Sequence, residues 1–333
     1  MDFFSHALLP YLLGSFQSLE RRRLAALVLG GIVPDLDVLI TWINVIYPNT
    51  MLLVHRGITH TFLFGFLFGM IILYLSTRSQ IKSLFGRFIH FDLDLSLYSL
   101  VFVYAGILIH LIMDFSTTRG VPLFYPFEAF RYSAEIFSQI ELIIMIFSIL
   151  ILAAILWKRS ITKFNKHLFI LFIIFLLVVG GIRIEGRASA AILFSGKNAE
   201  THPDSNLFGW EILENDGDQF QVYEYNYLTG KISHNSTYAK LSVASDIREA
   251  EMAIHAAENL PQVWLFRWRS YAVAINATSQ NDSWIIEYYD PLVKTQMANT
   301  WSFFGQAAKN YGSIQVLVEN SHAGIYEHAR GMR

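Results

Sequence analysis

Cysteine is absent from all 333 positions. That excludes disulfides and every thiolate metal site, so a metal here must be held by histidine and carboxylate. It leaves the redox compartment undetermined. Charge is scarce too: Asp, Glu, Lys and Arg make up 16% of the chain, and the formal net charge is -2. Such a balance lacks the basic footprint of a nucleic-acid binder, so no nucleic acid is expected as a partner. There is no internal repeat, P-loop, Gly-rich dinucleotide motif or serine nucleophile elbow. Apolar side chains are abundant instead, at 53%. The excess over the soluble average lies almost wholly before about Gly186.

This shift in composition divides the chain. Residues 1–190 read as a polytopic helical membrane domain with broken or re-entrant helices. Residues 195–333 read as a small, sheet-rich α+β soluble domain. The N-terminal stretch 1–17 lacks a basic start and a small-residue cleavage site, so it is not read as a removable signal peptide. It is short for a span. A second apolar segment, 24–47, is interrupted by Gly30-Gly-Ile-Val-Pro-Asp-Leu-Asp37. Pro34 cannot continue a helical hydrogen-bond ladder, so a break is expected there, with Pro34 opening a new helix. Further apolar runs follow at 61–75, 97–116, 136–157 and 168–182. The polar half alternates at 219–227, has a hairpin signal at 228–231 and offers strands at 263–269 and 283–289. Residues 245–259 carry a serine cap and helical periodicity.

Within the apolar half, ionisable residues fall in a pattern. His110 and Asp114 are four apart, a spacing that stacks two side chains on one helix face. Asp35 and Asp37 flank the expected break, and broken helices at membrane depth normally line a site. His55 and His60 lie just before the run 61–75, and His6 lies in the first segment. Each is costly in an apolar span unless paired, hydrated or bound. The bland reading of any one is structural. Together they form a candidate ligand set of His6, Asp35, Asp37, His55, His60, His110 and Asp114. This suits zinc or a similar divalent ion, and exceeds what one catalytic zinc needs, so one or two ions are expected. Of Asp35 and Asp37, one is expected to bind metal while the other orients a histidine. Arg56 is either a clamp for a phosphate-like anion or the ion-pair partner of an aspartate.

Lys/Arg bias supplies an orientation. Arg21–Arg23, the loop with Arg78, Lys82 and Arg87, and the loop 158–166 would be cytoplasmic if the segments alternate. His6, His55, His60 and Asp114 then share the outer side, and residues from Ser195 onward lie outside the cytoplasm. The expected localisation is multi-pass, in the plasma or inner membrane.

The combination of Val33-Pro-Asp-Leu-Asp37, His55-Arg-Gly-Ile-Thr-His60 and His110-x-x-x-Asp114, followed by Gly120-Val-Pro-Leu-Phe-Tyr-Pro-Phe127, resembles the predicted membrane-bound metal-dependent hydrolase family. That family includes a LexA-regulated bacterial inner-membrane protein. His6 matches the family's early histidine. The resemblance covers most of residues 1–145 and implies a metal-dependent hydrolase. Longer relatives carry an acidic turn after the Pro-Phe loop. Its nearest match here is Glu141, which could bind metal, act as a base or pair with Arg131.

Three readings follow. The first is an integral-membrane hydrolase that activates water against an ester or phosphoester. Its proton acceptor would be among Asp35, Asp37 and Glu141, and its substrate a small molecule or a lipid. The second is a transporter or ion pathway, which the absence of matching halves disfavours. The third is a non-catalytic anchor displaying the C-terminal domain.

Overall fold

A computed structural model describes residues 2–41, 43, 54–85, 93–158, 162–280, 283–299, 312–319 and 322–326. The end of the apolar segment read as 24–47, and the loop residues Arg87 and Arg159, lie outside these. The chain divides into two compact units: Met1–Glu185 with Pro203–Phe208, and Gly186–His202 with Gly209–Arg333.

The first unit is helical. Asp2 caps α1 (Phe3–Phe16) by accepting the Ser5 N–H, at 3.0 Å. A sharp turn leads into α2 (Arg21–Ile32). As the proline demands, the ladder tightens there into a 3-10 helix, Val33–Leu39, with Pro34 in its first turn. A 3-10 turn, Ile58–His60, precedes α3 (Phe62–Ser76), which is capped by Thr61. The short α4 (Ser79–Phe85), α5 (Leu97–Phe115), α6 (Leu142–Lys158) and α7 (Thr162–Leu193) complete the helices. The run read as 136–157 begins as a helix only at Leu142. The run read as 168–182 extends much further on both sides.

Helices α2 and α5 touch backbone to backbone. A Cβ on Gly30 would lie 1.9 Å from the Val103 carbonyl oxygen, and one on Gly106 2.2 Å from that of Leu27. Small residues permit this approach, and Val33, Val103, Ile107 and Leu111 fill the core beside it. A second core joins Leu8 and Leu12 of α1 to Ile151 of α6 and Phe172 of α7.

The unit is inside-out by soluble standards. His6, His60, His110, Asp114 and Arg183 are buried, while Ile112, Leu150 and Leu177 face outward. Among the described residues, Leu97–Phe115 and Phe164–Leu193 are long and apolar enough to cross a membrane, and three shorter helices are also apolar.

The second unit contains two sheets. One has the order β1 (Ala199–Pro203), β2 (Gly209–Asp216), β3 (Gln219–Asn226), β4 (Lys231–Ala239), with β2–β3 and β3–β4 antiparallel. Its β3–β4 hairpin closes at the turn expected from the sequence, with Asn226 opposite Lys231. The other runs β5 (Leu241–Val243), β6 (Ala274–Gln280), β7 (Ser283–Tyr289), β8 (Ser313–Glu319), β9 (His322–Ile325). Strands β5 and β6 are parallel, joined through α8 (Ile247–Glu258) and α9 (Pro261–Arg269). Helix α10 (Pro291–Asn299) follows β7.

Two expectations are corrected here. Helix α8 is capped by Asp246, whose Oδ1 accepts the Arg248 and Glu249 N–H groups at 2.8 and 3.3 Å, rather than by a serine. Residues 263–269 form α9, not a strand. Pro261 at the first helical position presets φ, and Val263 and Phe266, three apart, bury together against β7 and β8.

Candidate metal centre

The site lies where four helix ends meet. Running up and down, the unit brings the start of α1, the 3-10 helix after α2, the turn before α3 and the last turns of α5 to one end. His110 and Asp114 descend one helical face. Their tips meet His60 and Asp35 in a cluster buried except at Asp35, whose side chain is 13% exposed.

The spacing within the cluster is regular. His60 Nε2 lies 3.2 Å from His110 Nε2, 3.5 Å from Asp35 Oδ1 and 3.5 Å from Asp114 Oδ2. His110 Nε2 lies 3.5 Å from Asp35 Oδ1 and 3.4 Å from Asp114 Oδ2. All four atoms are within 4.8 Å of one another. A tetrahedron with metal–ligand bonds of about 2.0–2.1 Å has edges of about 3.3–3.4 Å, so these five separations match tetrahedral edges.

Their chemistry fits a cation as well. His110 Nδ1 lies 2.8 Å from the Gly31 carbonyl oxygen, which can only accept. Nδ1 therefore carries the proton and Nε2 a lone pair. His60 Nδ1 lies 3.0 Å from Thr59 Oγ1 and 3.3 Å from Asp37 Oδ2, while Thr59 itself donates to Asp37 at 2.9 Å. Its proton belongs on Nδ1 by the same logic. The inner corners of the cluster are thus two lone pairs and two carboxylate oxygens: four acceptors facing one another. Only a proton or a metal ion reconciles them. Burial alone would lower the His60 pKa, but hydrogen bonds to Asp35 and Asp37 outweigh it and raise it from the ordinary 6.5 to about 9. The carboxylates hold a proton where a metal would bind. This buried His/Asp group can hold a metal ion.

The remaining candidates surround this group. Asp37, read as a ligand or proton acceptor, stands behind His60. Its other oxygen, Oδ1, is 2.9 Å from His55 Nδ1. Asp37, His55 and His60 form a second, more open trio, but its atoms pair with one another. His6 is fully buried and stacks on His110 with ring centroids 3.7 Å apart. Its Nε2 is 3.2 Å from Asp114 Oδ1, outside the four-donor group.

Of the two roles open to Arg56, the geometry shows the ion pair with an aspartate. It is buried, its Nη2 donates to Asp114 Oδ1 at 2.7 Å, and its Nη1 donates to Thr117 Oγ1 at 2.9 Å. A guanidinium committed to a carboxylate is not presented to a substrate. Its φ of +60°, rare for a non-glycine, aims the side chain inward. Glu141 is likewise placed elsewhere than expected. Both its oxygens accept from Arg183 Nη2 at 2.8 Å, and the Ser138 N–H and hydroxyl bind Oε2. It is outside the four-donor group, and its partner is Arg183 rather than Arg131.

Sequence reasoning missed Gly31, Thr59, Thr117 and Arg183. Gly31 acts through its backbone, which leaves no side-chain signal. Arg183 was visible as a lone cation in an apolar run, a recognised mark of a buried partner.

A helical bundle that buries a His/Asp group able to hold a cation and shows apolar residues outward has the features of a membrane protein with a candidate metal centre. Residues 1–186 match the YdjM inner membrane protein family, more than half of the chain, and the chain belongs to that family. No curated protein and no solved structure matches it.

Proposed function

We propose that this protein is a membrane-embedded, zinc-dependent hydrolase of esters or phosphoesters. The observation that carries the reading is a largely buried set of four acceptors, five of whose six separations match tetrahedral edges. His60, His110, Asp35 and Asp114 would hold one ion, since two imidazoles and two carboxylates at this spacing suit zinc. When bound, such an ion supplies Lewis acidity toward water and toward the oxygen of an ester. Gly31 and Asp37 hold the two imidazoles in the tautomer that presents Nε2. Arg56 fixes Asp114 through Oδ1, leaving Oδ2 to face the ion. Asp35 is the member of the group that solvent reaches, so substrate would approach there, and the Asp35 oxygen turned away from the ion would take a proton from arriving water. Lys/Arg distribution supports several crossings of the inner membrane, with the His/Asp end outside the cytoplasm.

A second reading is favoured by the same geometry. Catalytic zinc usually keeps three protein ligands and an open position, whereas four donors complete a structural tetrahedron. The ion would then tie the broken helix ends together without turnover. The deciding experiment measures zinc content of detergent-purified protein together with cleavage of a chromogenic phosphodiester and a chromogenic carboxyl ester. Stoichiometric zinc with turnover supports the hydrolase. Full occupancy with neither ester cleaved supports the structural tie, and absence of bound metal refutes both.

A further inference from the structure

The loop between α5 and α6 is built firmly and faces outward with the wrong polarity for water. Val121 and Tyr132 exchange backbone hydrogen bonds at 3.0 and 2.9 Å, closing its base. Arg131 clamps the turn, donating from Nε to the Arg119 carbonyl at 2.7 Å and from Nη2 to that of Gly120 at 2.9 Å. Gly120 sits at φ +50°, where a Cβ would fall 1.9 Å from the Tyr132 oxygen, so this turn admits only glycine. Phe124 and Phe130 both lie edge-on to Tyr132. Despite this order, Phe124, Phe127 and Phe130 are 45%, 88% and 64% exposed. Loop tips in water are normally polar, and contiguous exposed aromatics mark an interaction surface.

Two observations identify what covers it. Ile112 before the loop, and Ile140 and Leu142 after it, are also exposed, so the helix ends that flank the phenylalanines present apolar side chains outward as well. In an inner-membrane protein those helix ends meet lipid. The loop is also tied to the His/Asp group. The Phe62 N–H, two residues after His60, donates to the Leu123 carbonyl at 3.0 Å. At the root of the loop, Thr117 holds Arg56, which holds Asp114.

We propose that residues 121–132 form a rigid wedge seated in the interfacial layer of the bilayer, and that the adjacent His/Asp group draws its substrate from that layer as the polar end of a membrane lipid. The wedge stands on the loop and the membrane setting alone. The substrate class rests on the hydrolase reading. Phenylalanine rings suit this zone, where apolar side chains meet the headgroup–acyl boundary.

The absence of native cysteine allows a direct test. Phe124→Cys, Phe127→Cys and Phe130→Cys, each carrying a nitroxide, are placed in full-length protein reconstituted in phosphatidylethanolamine/phosphatidylglycerol vesicles. Leu228→Cys, at the exposed β3–β4 turn, is the aqueous control. At the three loop positions, collision with oxygen should be strong and collision with a water-soluble nickel chelate weak. Nickel access equal to that at position 228 overturns the wedge, and so does shielding from both reagents, which would mean a protein partner. Substrate source is read separately with Phe127→Ser/Phe130→Ser. The apparent KM for a vesicle-borne ester should rise by at least about tenfold, from the lost apolar contact, with no change for a water-soluble ester. Equal effects on both esters overturn the lipid assignment. Absence of turnover on either ester removes the hydrolase reading and the substrate class with it, while the collision data still decide the wedge.

Discussion

Two imidazole nitrogens 3.2 Å apart, each with its proton on the far side of its ring, repel unless a cation lies between them. Several consequences follow at this scale. Asp114→Asn or His110→Ala removes a corner of the tetrahedron and should abolish zinc binding, as read by metal analysis. Asp37→Asn leaves the corners intact but loosens His60, so zinc affinity should fall by about 10–100-fold without being lost. On the zinc reading, an arriving ion would have to displace the proton that Asp35 and Asp37 hold on His60 by raising its pKa to about 9. Below that pH the proton is present and competes. Affinity should therefore fall as pH drops, by about tenfold per unit for one displaced proton, in zinc titrations across the neutral range. A pH-independent affinity would count against His60 as a ligand. Arg56→Ala leaves the buried Asp114 carboxylate without its cation, which typically costs about 3–5 kcal/mol, so thermal stability and zinc retention should fall together. Arg56→Lys should recover only part of both, since an ammonium lacks the planar fork that reaches Asp114 and Thr117 at once.

At the scale of elements, the site depends on how closely α2 meets α5. Gly31 accepts from His110 because Gly30 and Gly106 let the two backbones touch. Gly106→Ala would place a methyl 2.2 Å from the Leu27 oxygen and force the helices apart. We expect a loss of about 1–3 kcal/mol from overpacking, with zinc affinity falling because His110 loses its orienting acceptor. Unfolding midpoints and zinc titration of the same variant test both halves. The element boundaries show what local sequence can and cannot convey. The break at Pro34 was legible because a missing N–H acts locally, whatever the tertiary setting. Val, Trp and Phe favour sheets, so residues 263–269 read locally as a strand. The helix they form is selected by Pro261 and by burial of Val263 and Phe266 against distant strands. The reach of α7 beyond 182 is hidden because Arg183 interrupts the hydropathy pattern, and its bonds to Glu141 and to the Asp204 carbonyl make it tolerable inside the bundle.

For the whole molecule, the Lys/Arg pattern leads to a topological prediction. Residues from Ser195 onward should be digested by protease added outside sealed spheroplasts. Digestion only after lysis would invert the orientation while leaving the His/Asp group intact. The family match reaches residue 186, close to where the first compact unit yields to the second.

The sequence by itself determined the class of chemistry. A chain without cysteine, with histidines and aspartates at the mouths of apolar segments, has only imidazole and carboxylate to offer a metal. It also determined that these groups share one end of the bundle, because alternating segments carry successive ends to the same side. Tertiary structure alone decided the division of labour among them. Asp35 and Asp37 are two residues apart and chemically identical, yet one faces His110 and the other stands behind His60. Arg56 could serve an anion or an aspartate, and it is Asp114, brought within 2.7 Å by the fold, that takes it. Spacing along the chain shows which side chains can meet on one element. Which atom of each meets which partner depends on the approach of separate elements, here on glycines that let α2 and α5 come into contact, and no local pattern encodes that distance.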